Sequence, residues 1–98
     1  MSRPLSVTFF VEPDGHPQTV TGRDAWALNE LVRAGESGVT PIDNPGPRWS
    51  AYVHNLRQIG VGIETLHERH GGDFAGTHAR YVIRSDVTIL ERAHAEGQ

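Results

Sequence analysis

The segment RWSAYVHNLRQIGVGIET, residues 48–65, determines the fold that the sequence predicts. From Trp49 onward its apolar residues recur every three or four positions, which is the spacing of an amphipathic helix with one buried face. Gly60 follows the last apolar position, so we expect the helix to cover residues 48–59. Residues 62–67 then predict a strand directly after the helix.

A second strand is predicted over residues 80–84, which are rich in aromatic and β-branched side chains. Residues 70–78 between the two strands are rich in glycine and polar side chains and predict a long, flexible loop. The segment 63–84 is therefore expected to be a β-hairpin.

Upstream, residues 22–34 predict another amphipathic helix, with Ala25, Leu28 and Val32 on its apolar stripe. We expect Thr21 to cap the start of this helix, and the glycine after Ala34 predicts its end. Residues 40–45 have room for one helical turn, because prolines at both ends exclude anything longer.

The sequence predicts the secondary structure of the N-terminal segment but leaves two possibilities for the C-terminal segment. Residues 5–11 alternate with a period of two, and residues 18–21 follow a turn rich in proline and glycine, so we predict an N-terminal hairpin. Its apolar side chains at Leu5, Val7 and Phe9 share one strand face. Residues 85–95 fit a short helix or a strand equally well.

Helix, short turn, amphipathic helix and hairpin occur here in the order of a winged-helix domain. The chain resembles a family of small bacterial and prophage winged helix-turn-helix domains along residues 22–28, 38–41, 49–60, 63–65 and 79–81. The resemblance implies an α+β winged helix-turn-helix fold with an added N-terminal β-hairpin and a degenerate second helix.

The corresponding expectation for domain organisation is a hairpin extension over 1–21, a winged-helix domain over 22–84 and a C-terminal tail over 85–98.

In such a domain the helix at 48–59 would enter a major groove of double-stranded DNA, and the hairpin at 63–84 would be the wing. Arginine suits guanine and asparagine suits adenine, while arginine and histidine on the wing would contact phosphate or probe the minor groove. The DNA-binding residues implied are Arg48, Ser50, His54, Asn55, Arg57, Arg69, His70, His78 and Arg80. We therefore expect a cytoplasmic transcriptional regulator or prophage accessory factor that acts as a homodimer without a cofactor.

The charge distribution is compatible with DNA but does not require it. The net charge is -3, yet residues 46–84 carry five arginines against three acidic residues, an excess of +2. All nine basic residues are arginine, the side chain best suited to bidentate contacts with phosphate and guanine. The alternative is a winged-helix module that binds a protein partner or dimerises, for which the exposed ring of Phe10 and an open strand edge are candidate contacts.

Other classes of function are disfavoured. The chain has no cysteine, which excludes disulfides and thiolate chemistry, and its apolar runs are too short for a membrane span. Nothing at the start of the sequence has the pattern of a signal peptide. His67 and His70 would face opposite sides of a strand, so their cluster does not predict a metal site. No spacing singles out a catalytic group, and we predict no enzymatic activity.

Overall fold

The computed structural model describes residues 5–45, 48–71 and 76–94, without the side chains of His70 and His94. In these ranges the chain forms five strands and two α-helices, together with a 3₁₀ turn at Gly35–Ser37. The strands are β1 (Leu5–Val11), β2 (Gln18–Thr21), β3 (Ile63–His70), β4 (Gly76–Ile83) and β5 (Val87–His94), and the helices are α1 (Gly22–Ala34) and α2 (Trp49–Gln58).

Both predicted helices are present, and their apolar stripes form the centre of the core. Ala25, Leu28 and Leu31 of α1 are completely buried, and they pack against the buried face of α2. Thr21 is the N-cap residue of α1, as predicted, but its side chain makes no hydrogen bond to the helix. Thr21 is also the last residue of β2, paired with Ser6, so it keeps the extended backbone of a strand.

The segment between the helices forms a turn in place of a regular second helix. The amide of Asn44 donates to the Thr40 carbonyl at 2.8 Å, and the amide of Asp43 donates to Oγ1 of Thr40 at 2.9 Å. Residues 40–44 thus close one hydrogen-bonded turn of helical length. The prolines at 41 and 45 prevent its extension, as the sequence predicted.

Three strands, in the order β2-β1-β5, make an antiparallel sheet that joins the two ends of the chain. Val7 and Phe9 point into the core and are completely buried. Residues 87–94, for which a helix and a strand were both open, form strand β5 beside β1. The register changes between Thr8, opposite Glu91, and Phe9, opposite Ile89, so Leu90 is an extra residue that bulges from β5.

The second sheet pairs β3 with β4, and its hairpin is longer than predicted. The expected loop over residues 70–78 is wrong at both ends, since the ladder continues to the pair His70–Gly76. Only the residues from 71 to 75 lie between the strands, and 72–75 fall outside the described residues. Backbone hydrogen bonds between Val39 and Tyr81, at 2.8 and 2.9 Å, fasten β4 to the segment that follows α1.

The predicted division into a hairpin extension, a central domain and a tail remains an expectation about domain boundaries. In the fold, however, β1 from the first segment pairs with β5 from the last over seven residue pairs. No helix in the described ranges is long and apolar enough to cross a membrane.

Candidate nucleic-acid interface

Helix α2 presents a polar row to the outside. Its opposite side is anchored in the core, because Trp49, Tyr52, Val53 and Leu56 are all buried. Ser50, His54 and Gln58 are exposed and, four residues apart, lie above one another on the outward face. The His54 Nε2 and Gln58 Nε2 atoms are 3.4 Å apart. This row consists of hydrogen-bonding side chains that face away from the protein.

Arg48 is positioned at the start of this row. It is the residue before α2, it is exposed, and its side chain makes no capping hydrogen bond. The amides of Ala51 and Tyr52 donate to its carbonyl at 3.0 and 3.1 Å, which fixes its backbone on the first turn. Arg48 therefore lies at the positive end of the helix dipole, where an anion is favoured.

Asn55 is turned toward α1 and away from the outward row. Its Nδ2 lies 3.3 Å from both carboxylate oxygens of Asp24, in the first turn of α1. This pairing uses the amide hydrogens that adenine recognition would need. It also brings a negative charge to the border of α2.

Arg57 is turned the other way, toward the wing. Its Nε and Nη2 atoms donate to the Ile63 carbonyl at 3.1 and 2.5 Å, and Nη2 also donates to Oγ1 of Thr65 at 3.0 Å. One side chain thereby connects the end of α2 to the first residues of β3.

The wing distributes its polar side chains over two faces. Tyr81 and Thr65 are directly opposite each other and therefore share a face, and the Tyr81 ring stacks on Trp49 at 6.0 Å. Alternation along β3 puts His67 and Arg69, both exposed, on this face, next to α2. The face next to α2 thus combines an exposed guanidinium with an exposed imidazole.

The other face of the wing contains an ion-pair cluster formed by Glu68, His78 and Arg80. Arg80 Nε donates to Glu68 at 2.7 Å, His78 Nε2 lies 3.2 Å from the same carboxylate, and Arg80 Nη1 donates to the Ser37 carbonyl at 2.8 Å. The hydrogen bond from Arg80 lowers the pKa of Glu68, and the carboxylate in turn raises the pKa of Arg80. Two predicted DNA contacts therefore pair with Glu68 within the wing, and one of them, Arg80, also binds the wing to the 3₁₀ turn.

The predicted site residues accordingly separate into groups. Arg48, Ser50, His54, Arg57 and Arg69 lie along α2 and the adjoining wing face, whereas Asn55 faces α1 and His78 and Arg80 lie behind the wing. The side chain of His70 lies outside the described residues. Gln58 and His67 were not among the DNA-binding residues predicted from the sequence. Their spacings, four from His54 on a helix and two from Arg69 on a strand, would have indicated them.

No metal site is formed among the described residues, in which no three histidine, aspartate or glutamate side chains are grouped to hold an ion. Asp73, the carboxylate between His70 and His78, lies outside the described ranges.

The comparison with protein families gives one match. A family model described as a winged helix domain covers residues 17–93, which include both helices and almost all of β5. No curated protein and no solved structure matches the chain. The predicted winged-helix, α+β fold is thus confirmed, and this type of domain is typically a non-enzymatic module that binds DNA.

Proposed function

The chain belongs to the winged helix domain family, and from this premise we propose that it is a non-enzymatic protein that binds double-stranded DNA. Helix α2 would lie in the major groove and the β3–β4 wing would contact the flanking backbone. The observation that carries the proposal is the outward row of Ser50, His54 and Gln58, bordered by Arg48 and Arg69. A transcriptional regulator or a prophage accessory factor in the cytoplasm is the biological role we propose.

The residues divide by the type of contact that we expect. Ser50, His54 and Gln58 can exchange hydrogen bonds with base edges, because hydroxyl, imidazole and amide groups match their donors and acceptors. Arg48 and Arg69 are exposed, and neither guanidinium has a hydrogen-bond partner among the described residues, so both are available to phosphates. Arg80 and His78 would support the wing from behind, and Asn55 would support α2.

Salt-dependent binding tests this proposal. Fluorescence anisotropy with mixed-sequence duplex DNA at about 50 and 200 mM salt should show affinity that falls steeply as salt rises, because bound phosphates release counterions. Arg48→Ala with Arg69→Ala should lower both the affinity and the salt slope, by about two if each arginine contacts one phosphate. The control is Arg33→Ala, which removes one exposed arginine that pairs with Glu30 on α1 and is not among the proposed DNA contacts.

Sequence preference requires its own measurement. Selection from randomised duplexes should enrich a motif with wild-type protein, and Ser50→Ala, His54→Ala and Gln58→Ala should each change that motif while leaving the salt slope unchanged. A homodimer would double the small basic surface and favour a palindromic motif. Sedimentation equilibrium with and without DNA would measure the stoichiometry.

A second candidate function is a module that binds a protein partner. It is favoured by Asp24, Glu64 and Glu68, which bring negative charge to the surroundings of α2 and the wing, and by the pairing of Arg84 and Arg80 with two of these carboxylates. A folded protein that fails to bind duplex DNA at low salt would exclude DNA binding and favour this alternative.

A further inference from the structure

Arg57 joins the two elements on which DNA binding is proposed to depend. It is the second-to-last residue of α2, and its guanidinium donates three hydrogen bonds to the start of β3, two to the Ile63 carbonyl and one to Thr65. Residues 59–62 between the two elements are held by backbone hydrogen bonds, including those from Val61 N to the Leu56 carbonyl at 3.1 Å and from Arg84 N to the Gly62 carbonyl at 2.8 Å. Arg57 adds side-chain bonds that run directly from the helix to the strand. The Arg57 side chain is thus a direct polar brace across this connection.

The brace leaves part of the guanidinium unused. A guanidinium carries five N–H groups, and Nε and Nη2 account for the three bonds to β3. Nη1, with two N–H groups, has no hydrogen-bond partner among the described residues, and the side chain is exposed. Because the plane of the guanidinium is fixed by its bonds to Ile63 and Thr65, the direction of these two free donors is fixed as well.

We infer that Arg57 is a positioning residue that sets the angle between α2 and the wing and holds one phosphate of the DNA between them through Nη1. This inference rests on the proposed function and changes the role of Arg57 within it. From the sequence alone, Arg57 was predicted to be one of the groups on the face of α2 that would enter the groove. Here it contacts backbone phosphate, so it contributes affinity at every sequence and preference for none.

Lysine cannot replace arginine in this role. An ammonium on a flexible stem can reach a phosphate, but it cannot donate to Ile63 and Thr65 from a planar fork while also presenting a second pair of donors. A lysine at position 57 would retain the charge and lose the brace.

The experiment compares Arg57→Lys, Arg57→Ala and Thr65→Val in the full chain, the last removing only the hydroxyl acceptor from a β-branched position. Backbone ¹⁵N order parameters in the free protein report the mobility of β3 and β4 relative to α2. Anisotropy with mixed-sequence duplex DNA at two salt concentrations reports affinity and salt slope. Thermal unfolding confirms that each variant is folded.

We expect lower order parameters in the wing for both Arg57 variants, and a smaller decrease for Thr65→Val. Arg57→Ala should weaken binding about tenfold or more and reduce the salt slope by about one, as for the loss of one charged hydrogen bond to one phosphate. Arg57→Lys should weaken binding several-fold with an unchanged salt slope, since its charge remains.

Two results would overturn the inference. Wild-type order parameters in a folded Arg57→Lys protein would show that the brace does not hold the wing, whether or not DNA binds. Wild-type affinity and slope in Arg57→Ala would show that no phosphate is held there. If wild-type protein does not bind DNA at low salt, the proposed function fails together with the phosphate contact, while the order parameters still decide on the brace. If Arg57→Ala does not fold, the order parameters and DNA affinities of Arg57→Lys and Thr65→Val still test whether Arg57 positions the wing.

Discussion

Replacing Trp49 with alanine should remove a large part of the stability of the fold and detach the first turn of α2. The indole is 3% exposed and lies at the centre of an aromatic cluster, with ring centroids 5.3 Å from Trp26 and 6.0 Å from both Tyr52 and Tyr81. Its Nε1 donates to the Asn44 carbonyl at 2.6 Å. The side chain therefore fills the junction of α1, α2 and β4 and also holds the turn before α2.

These contacts set the size of the effect. Truncation of a buried tryptophan to alanine costs about 3–5 kcal/mol, against a total of about 5–15 kcal/mol for a domain of this class. Trp49→Phe retains an aromatic ring but loses the hydrogen bond to Asn44 and part of the apolar area, so it should cost about 1–2 kcal/mol. The difference in free energy of unfolding between Trp49→Phe and Trp49→Ala measures the contribution of the aromatic ring that phenylalanine retains.

Urea denaturation followed by far-UV circular dichroism gives these free energies, and the fluorescence of Trp26 provides a second probe of the same transition. Leu90→Ala is the matched control, because Leu90 is 53% exposed and its truncation should change the free energy of unfolding by no more than about 0.5 kcal/mol. An unchanged midpoint and m-value for Trp49→Ala would refute the reasoning, since a buried indole with these partners cannot be removed without cost.

Three further predictions concern other parts of the chain. Leu56→Ala should cost about 2–5 kcal/mol by urea denaturation, because the side chain is completely buried; a loss below about 1 kcal/mol would contradict its place in the core. Gly38→Ala should destabilise the fold more than Gly60→Ala. Both glycines have positive φ, +74° and +102°, so backbone strain should cost about 1–3 kcal/mol at either, but only a Cβ at Gly38 would come within 2.9 Å of neighbouring atoms, which adds about 1–3 kcal/mol of overpacking. Equal shifts of the melting temperature in the two variants would contradict this. Because Arg80 lowers the pKa of Glu68, the pair should stabilise the fold at pH values above the ordinary pKa of a glutamate, and this stabilisation should be lost as the pH falls through the lowered pKa. An NMR titration should find a higher Glu68 pKa in Arg80→Gln, and an identical pKa would exclude Arg80 as the cause.

The sequence predicted the elements whose signals are local. Helix α2 was predicted to within one residue at each end because its apolar stripe is regular and a glycine follows it. Strand β5 could not be identified, because the bulge at Leu90 breaks the alternation: Ile89 and Arg92 both lie on the inner side, and Arg92 reaches Asn29 of α1 at 2.6 Å. A spacing of three between inward residues is also typical of a helix.

The ends of β3 and β4 nearest the tip of the hairpin were not predicted, for a different reason. Residues 68–70 and 76–79 are mostly polar or glycine, so β-propensity does not identify them as strands. They are paired through the backbone ladder and the contact between Glu68 and His78.

The candidate site was predictable only in outline. The residue types on the outer face of α2 follow from helical spacing, but the contact between Asp24 and Asn55 joins residues 31 positions apart, and no local pattern signals it. The same holds for Arg80 and Ser37, which are 43 positions apart. These long-range contacts decide which polar side chains remain available to a partner.

The bulge at Leu90 also affects how the molecule behaves among its own copies. Strand β5 is the last strand of its sheet, and an unpaired row of backbone groups at such an edge can template the addition of a further strand and begin a fibril. The extra residue interrupts the regular spacing of this row at its middle, and the adjoining Glu91 and Arg92 are charged. The chain therefore carries a built-in barrier to edge-to-edge aggregation, and restoring a flat edge by deleting Leu90 should lower its solubility during refolding.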